Sequence, residues 1–219
     1  MVVDQPYNWD DYRSDFKPGL AYELQEAAFS SILPKVLTSL GVASVLEVGP
    51  GFGRITRLLL AAYPSPPATY ALSDLSEAAL IETSEAFPKV DFSFHVGPLQ
   101  NARPFPRRVF DLVVAIEVLM HIPPDKVDRA VDHLLASVRP RTANHPGGVL
   151  ITCDWTEALP LLSNGTEHPI RTSNHRHNYP RLFKESGATS GHTHTHTHAV
   201  NLLAIQPVGL QTLYAVSHA

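Results

Sequence analysis

The chain has 219 residues, 44% of them apolar, and a formal net charge of −4 at pH 7. That length carries one α/β domain with a full core, and the scattered lysines and arginines argue against nucleic acid or an anionic membrane surface as the main partner. Cys153 is the only cysteine, so an internal disulfide is excluded. With no signal-like layout in "MVVDQPYNWDDYR" and no apolar run near the ~20 residues of a bilayer span, the expectation is a soluble cytoplasmic protein.

Residues 4–19 are rich in aromatic and acidic side chains and close on Pro18-Gly19. "LAYELQEAAFSSILPKVLTSLG" follows, with Leu20, Leu24, Ala27, Ala28 and Ile32 at three- and four-residue steps. This spacing predicts an amphipathic helix that ends or kinks at Pro34, then a second short helix to Gly41. "SVLEVG" reads as a buried strand and "RITRLLLAAY" as a helix stopped by "PSPP". "TYALSD" is a second strand, and "SEAALIETSEAF" a helix with Ser73 or Ser76 as its cap. "VDFSFHVG" and "FDLVVAIEVL" are the third and fourth strands, the latter nearly continuous in apolar residues, as a strand covered on both faces is. "PDKVDRAVDHLLASVRP" is a helix between Pro124 and Pro140, and "GGVLITCDW" a fifth strand. After a loop-rich stretch, residues 156–178, come a short helix, "YPRLFKESGA", and two extended segments, "HTHTHTHAVNLLAIQP" and "LQTLYAVSH".

Strands alternating with helices at this spacing predict an α/β, Rossmann-like doubly wound sheet, mostly parallel, with an antiparallel C-terminal hairpin and an N-terminal helical cap. The whole chain, 1–219, reads as a single domain. Residues 1–40 are its helical lid, 41–155 a cofactor-binding core, and 156–219 a substrate loop and hairpin.

"VLEVGPGFGRIT" sits where such a sheet binds ligands, at the carboxyl end of a strand. Gly49, Gly51 and Gly53 permit a tight turn and a close ligand approach without a Cβ in the way. A dinucleotide fingerprint places its third glycine one position later, where Arg54 stands, so a pyrophosphate is the weaker reading. Glu47 is a poor neighbour for phosphate and a good one for a cation.

These residues resemble the class I S-adenosylmethionine-dependent methyltransferases of small-molecule type. "VLEVGPGFGRIT" looks like their first motif, acid included. Asp74 matches the acid that ends their second strand and binds the ribose hydroxyls, and "FDLVVAIEVLMHIPP" is similar to their fourth-strand motif. The resemblance covers roughly residues 40–155 and implies S-adenosyl-L-methionine as cofactor, held by Glu47, Gly49, Gly51, Gly53, Asp74, Leu75, Leu99 and Glu117. The chain departs from the family where an acid usually follows the glycine after the third strand. Here Gly97 precedes Pro98, which leaves the Leu99 backbone or Gln100 to take the adenine amino group. Charge-assisted hydrogen bonds from a vicinal diol suit Asp74 physically, although a strand-end aspartate also caps helices.

Methyl transfer needs an acceptor placed in line, and a hydroxyl or ammonium acceptor also needs a base. His121, after the fourth strand, is either that base or a structural cap of its loop. His177 and Tyr179 lead into the late helix and are candidates to touch substrate; His168 and His175 lie in the same loop. Tyr7, Trp9, Tyr12, Phe16 and Tyr22 form either an aromatic lid or ordinary helix packing. His192, His194, His196 and His198 share one face of a strand, but their flat spacing and lack of cysteine or carboxylate partners favour a solvated or interface-facing strand over a metal site. The expected partner is a small-molecule substrate, with no nucleic acid, no membrane, no metal and a possible homo-oligomer. The alternatives are a non-catalytic cofactor-binding partner protein and, less favoured by the glycine spacing, a nucleotide-cofactor oxidoreductase.

Overall fold

The computed structural model describes Arg13 and residues 20–155, 175, 177–185, 200–208 and 211–218. Helix α1 (Leu20–Leu40) leads into β1 (Ser44–Val48), α2 (Arg54–Ala62), β2 (Thr69–Asp74), α3 (Glu77–Ala86) and β3 (Phe92–Val96). Then come β4 (Leu112–Ile116), a 3-10 turn (Leu119–His121), α4 (Val127–Ser137), β5 (Val149–Trp155), α5 (Tyr179–Glu185), β6 (Val200–Val208) and β7 (Gln211–His218). The strands form one sheet in the order β3-β2-β1-β4-β5-β7-β6. β1 to β5 run parallel, whereas β7 is antiparallel to both β5 and β6. The order reverses between β1 and β4. That switch point opens a crevice between the loops that leave their carboxyl ends.

Both sheet faces are covered, and β4 is buried along its whole length. On one face Leu46, Val48, Val113 and Leu150 pack with Val131 and Leu134 of α4 and Leu182 and Phe183 of α5. On the other, Val45, Leu72, Val114 and Ile151 pack with Phe29 and Leu33 of α1, Leu59 of α2 and Leu80 of α3. Alternation along β1 thus sends Leu46 and Val48 to one layer, and Val45 and Glu47 to the other. Away from the crevice, Asp111 ties the amino ends of β1 and β4 together. Its Oδ2 accepts from the Ala43 and Ser44 amides at 3.0 and 2.9 Å, and its Oδ1 from Arg139 Nε at 2.5 Å. Burial works to raise the Asp111 pKa, but Arg139, Ser44 and the Ala43 amide together hold it below the ordinary carboxylate value.

Several local expectations need correction. α1 is one continuous helix through Pro34. Pro34 and Ser30, whose carbonyl loses its helical donor to the proline, are both exposed, so water can satisfy that carbonyl. The buried stripe of α1 is Gln25, Ala28, Phe29 and Leu33, whereas Leu24 is 43% exposed. The cap of α3 is Ser76, which accepts from the Ala79 amide at 3.3 Å; Ser73 is buried within β2, with its Oγ 3.1 Å from His95 Nδ1. The 3-10 turn was not anticipated. Pro207 lies inside β6 rather than ending it, a position tolerated because β6 is the outermost strand. The His192–His198 run, the stretch 156–174 and the aromatics Tyr7, Trp9, Tyr12 and Phe16 lie outside the described residues.

Candidate active site

The crevice at the switch point is a cavity bounded by the loops after β1, β2, β3 and β4. Gly49, Gly51 and Arg54 come from the first loop, Asp74 and Leu75 from the second, Leu99 and Gln100 from the third, and Glu117 and His121 from the fourth. Eight of the residues singled out in the sequence therefore meet here: Gly49, Gly51, Asp74, Leu75, Leu99, Gln100, Glu117 and His121.

The first loop keeps its shape through glycine. Gly49 has φ +69°, and a Cβ on it would lie 2.6 Å from Val118 Cγ2. Its amide donates to the Ser73 carbonyl at 2.8 Å, which fixes the loop against the end of β2. Gly53, the residue before α2, has φ +70°, and its Cβ would lie 2.8 Å from Phe87 Cε2. Gly53 supports the loop without lining the cavity.

Asp74 ends β2 and is 8% exposed. Its Oδ1 accepts from the Ser76 amide at 2.9 Å. Burial pushes its pKa up to about 6 against the opposing pull of the Ser76, Leu75 and Gly51 amides. The Gly51 contact links the carboxylate directly to the glycine loop. Leu75 beside it is 46% exposed, an apolar surface on the cavity wall. Leu99 is buried, and its carbonyl accepts from His133 Nδ1 at 2.7 Å, so it is held in place from α4.

Glu47 is placed differently from expectation. It is 2% exposed and does not line the cavity. Its Oε2 accepts from Thr56 Oγ1 at 2.8 Å and Tyr70 Oη at 2.6 Å. Burial raises its pKa to about 7, and the Tyr70 and Thr56 hydroxyls and the Arg54 charge only partly offset it. Because β1 turns this side chain toward α2 and β2, Glu47 braces the layer beneath the glycine loop.

Glu117 follows β4 with φ +58°, an unusual backbone for a non-glycine residue and one that clusters at functional sites. Its amide donates to the Cys153 carbonyl at 2.9 Å. The Glu117 carboxylate faces Arg54, with Oε2 3.7 Å from Nη2. His121 sits one turn further on, at the cavity wall.

His177 and Tyr179 do not line the cavity. His177 is 4% exposed, and its Nε2 donates to the Leu119 and Ile122 carbonyls at 3.0 and 3.1 Å. Tyr179 is fully buried with its ring edge-on to His177. Both pack beneath the turn that carries His121, because α5 docks on the α4 side of the sheet.

Three residues were not singled out from the sequence for this site. Asp154, fully buried at the end of β5, accepts from the Met120 amide at 3.2 Å. Burial, reinforced by the Glu117 charge, raises its pKa to about 8 against the opposing Met120, Leu119 and Val118 amides. Arg54 lines the cavity, and Gln25 of α1, with no exposed surface, accepts a hydrogen bond from its Nη2. The available signals were Arg54 immediately after the third glycine and a polar residue, Gln25, on the buried stripe of a helix.

A doubly wound sheet with a glycine loop, two acids and a histidine at its switch point defines an α/β domain of the Rossmann-like type. Residues 45–141 match the family model described as a methyltransferase domain. The match is consistent with the resemblance to class I S-adenosylmethionine-dependent methyltransferases, and structural neighbours were solved with S-adenosylmethionine or S-adenosylhomocysteine bound. The structure is similar to magnesium protoporphyrin IX methyltransferase from Synechocystis, solved with S-adenosylhomocysteine, with a TM-score of 0.63 and 15% identity over 96% of this chain and 94% of that one. It is also similar to the N-methyltransferase NodS from Bradyrhizobium japonicum, solved with the same ligand, with a TM-score of 0.64 and 17% identity over 96% and 93% of the two chains. The CurJ carbon methyltransferase aligns with a TM-score of 0.67 and 16% identity over 96% of this chain and 57% of that one. At these identities the likeness is one of fold. No curated protein matches the sequence. Among the described residues, no helix is long and apolar enough to cross a membrane.

Proposed function

We propose that the chain transfers a methyl group from S-adenosylmethionine to a hydroxyl or amine of a small metabolite. The observation that carries this reading is Asp74. A largely buried carboxylate on the cavity wall, held by backbone amides that include that of Gly51, is suited to accept hydrogen bonds from a vicinal diol. Gly49 and Gly51 let the ligand lie directly against the backbone, and Leu75 offers an apolar surface beside Asp74. The residues present thus fit an adenosyl group, and when bound the cofactor supplies an electrophilic methyl on a sulfonium.

The chain's own part is placement and proton transfer. Glu117 brings negative charge to the wall, which favours a cationic ligand. His121, on the same wall, is the side chain that takes the proton of a hydroxyl or ammonium acceptor. Asp154, His177 and Tyr179 hold the turn that presents it.

Calorimetry and label transfer test the reading together. S-Adenosylhomocysteine should bind and NAD should not; the reverse preference would favour a nucleotide-cofactor oxidoreductase. Incubation with methyl-labelled cofactor and a metabolite extract should label a small molecule. Binding without any label transfer would mark a non-catalytic cofactor-binding protein instead.

A further inference from the structure

β3 is the outer strand of the sheet on the side away from β6, and among the described residues no strand pairs with its free edge. Such an edge offers unpaired N–H and C=O groups to an extended chain, and proteins commonly blunt it with lysine, proline or a bulge. β3, "FSFHV", carries none of these. Its two pleat faces differ in chemistry. On one, Phe92 packs edge-on against Tyr70, and its ring lies 6.4 Å from that of Phe94. Phe94 and Val96 on this face are 48% and 51% exposed. On the other, Arg108 Nη1 donates to Ser93 Oγ at 3.2 Å, and the guanidinium carbon lies 5.7 Å from the centre of the Phe105 ring. Arg103 donates through Nη2 to the Arg108 carbonyl, and its Nε is buried without an acceptor among the described residues. Phe105 has φ +47°, an unusual backbone for a bulky residue, and its carbonyl accepts from the Arg108 amide at 2.9 Å. Among the described residues no carboxylate pairs with Arg103, Arg107 or Arg108.

We propose that the free edge of β3 takes an extended acidic segment of another protein as an added strand, its apolar side chains on Phe94 and Val96 and its carboxylates on Arg103 and Arg108. An added strand alternates its side chains as β3 does, so a segment of alternating acidic and apolar residues matches both faces while its backbone pairs with the edge. Guanidinium groups suit carboxylates because their planar forks donate two parallel hydrogen bonds. Charge decides against a second copy of this chain. A two-fold antiparallel pairing centred on Phe94 sets Ser93 opposite His95 of the other copy. Each Arg108 then stands closer to its counterpart than to the opposing Asp91, the one acid beside β3 on that face, and like charges so placed repel. The inference does not rest on the cofactor reading, since neither the three arginines nor Phe94 and Val96 line the cavity.

Three fluorescent peptides of about eight residues, a strand's length, test this by anisotropy with the full chain. One alternates Glu and Val, one alternates Lys and Val, and one has the composition of the first with every Glu before every Val. The alternating Glu-Val peptide should bind ~10-fold or more tightly than either control, and its affinity should fall as salt is added. Arg108→Glu should weaken that peptide ~10-fold and strengthen the Lys-Val one, an exchange of preference that a merely structural role for Arg108 does not produce. Phe94→Ser should weaken the Glu-Val peptide and leave the block peptide unchanged. A melting curve for each variant confirms that it is folded. Equal binding of the block peptide would reduce the effect to charge attraction and overturn the proposal, as would no binding at millimolar peptide. Dimerisation seen by sedimentation and abolished by Phe94→Ser would assign the edge to a second copy and overturn it as well.

Discussion

The Tyr70 hydroxyl donates to Glu47 Oε2 across 2.6 Å, deep in the layer between the sheet and α2. The pair joins β2 to β1 directly below the glycine loop, so the acid of the first motif works here as a brace. Tyr70→Phe removes one of the two hydrogen bonds recorded on Oε2 and leaves the carboxylate with Thr56. The expected loss of unfolding free energy is about 1–3 kcal/mol by urea titration at pH 7.

The same carboxyl predicts how stability varies with pH. Folded Glu47 holds its proton up to about pH 7, whereas the unfolded chain releases it near 4.5, the ordinary value of a solvated glutamate. Between those values the folded state binds more protons, so this group's contribution is greatest below pH 4.5 and declines as pH rises to 7. Asp154 continues the same trend to about pH 8. Glu47→Gln should flatten the slope of unfolding free energy between pH 4.5 and 7 and match or exceed wild-type stability at pH 8. A steeper slope in the variant would contradict the burial of Glu47.

The glycine loop is testable by adding a single methyl group. Gly49→Ala forces a Cβ to 2.6 Å from Val118 Cγ2 at a φ of +69°. The expected result is a destabilisation of about 1–3 kcal/mol and weakened S-adenosylhomocysteine binding. Adding Val118→Ala removes the contact but not the backbone strain, so it should recover only part of each loss.

His121 and His177 should behave differently although both belong to the region around the 3-10 turn. His121→Asn should slow methyl transfer by ~10²- to 10⁴-fold, abolish the acidic limb of the pH–rate profile and leave S-adenosylhomocysteine affinity nearly unchanged. His177→Ala should instead lower the melting temperature, because it leaves two buried carbonyls, those of Leu119 and Ile122, without this donor. An unaltered pH–rate profile in His121→Asn would assign that residue to structure alone.

Much of this architecture was legible in the sequence, for reasons that particular residues make plain. "LVVAI" is apolar at every position because β4 is covered on both faces, and that pattern identifies a central strand without tertiary information. The loop after β1 was equally readable, because glycine meets its positive φ angles without strain. The direction of Glu47 was not. Motif position gives a residue's place along the chain, but the pleat decides which layer receives the side chain, and that depends on Thr56 and Tyr70. The register of α1 was misread for a related reason. Gln25 occupies the buried stripe because Arg54, on a different helix, supplies its partner. His177 and Tyr179 looked like substrate contacts from their loop, yet α5 docks so that they face inward under the turn.

The central claim is that Asp74 clasps the ribose of an adenosyl cofactor. S-Adenosylhomocysteine titrated calorimetrically into wild-type protein and Asp74→Ala, at pH 5 and pH 7.5, tests it most directly. The free carboxyl titrates near pH 6 and the ionised form accepts from the diol, so wild-type affinity should rise with pH across this interval. Asp74→Ala should bind ~10- to 100-fold more weakly at pH 7.5 and show little pH dependence. Equal affinity of the two proteins, or no binding to either, would contradict the account.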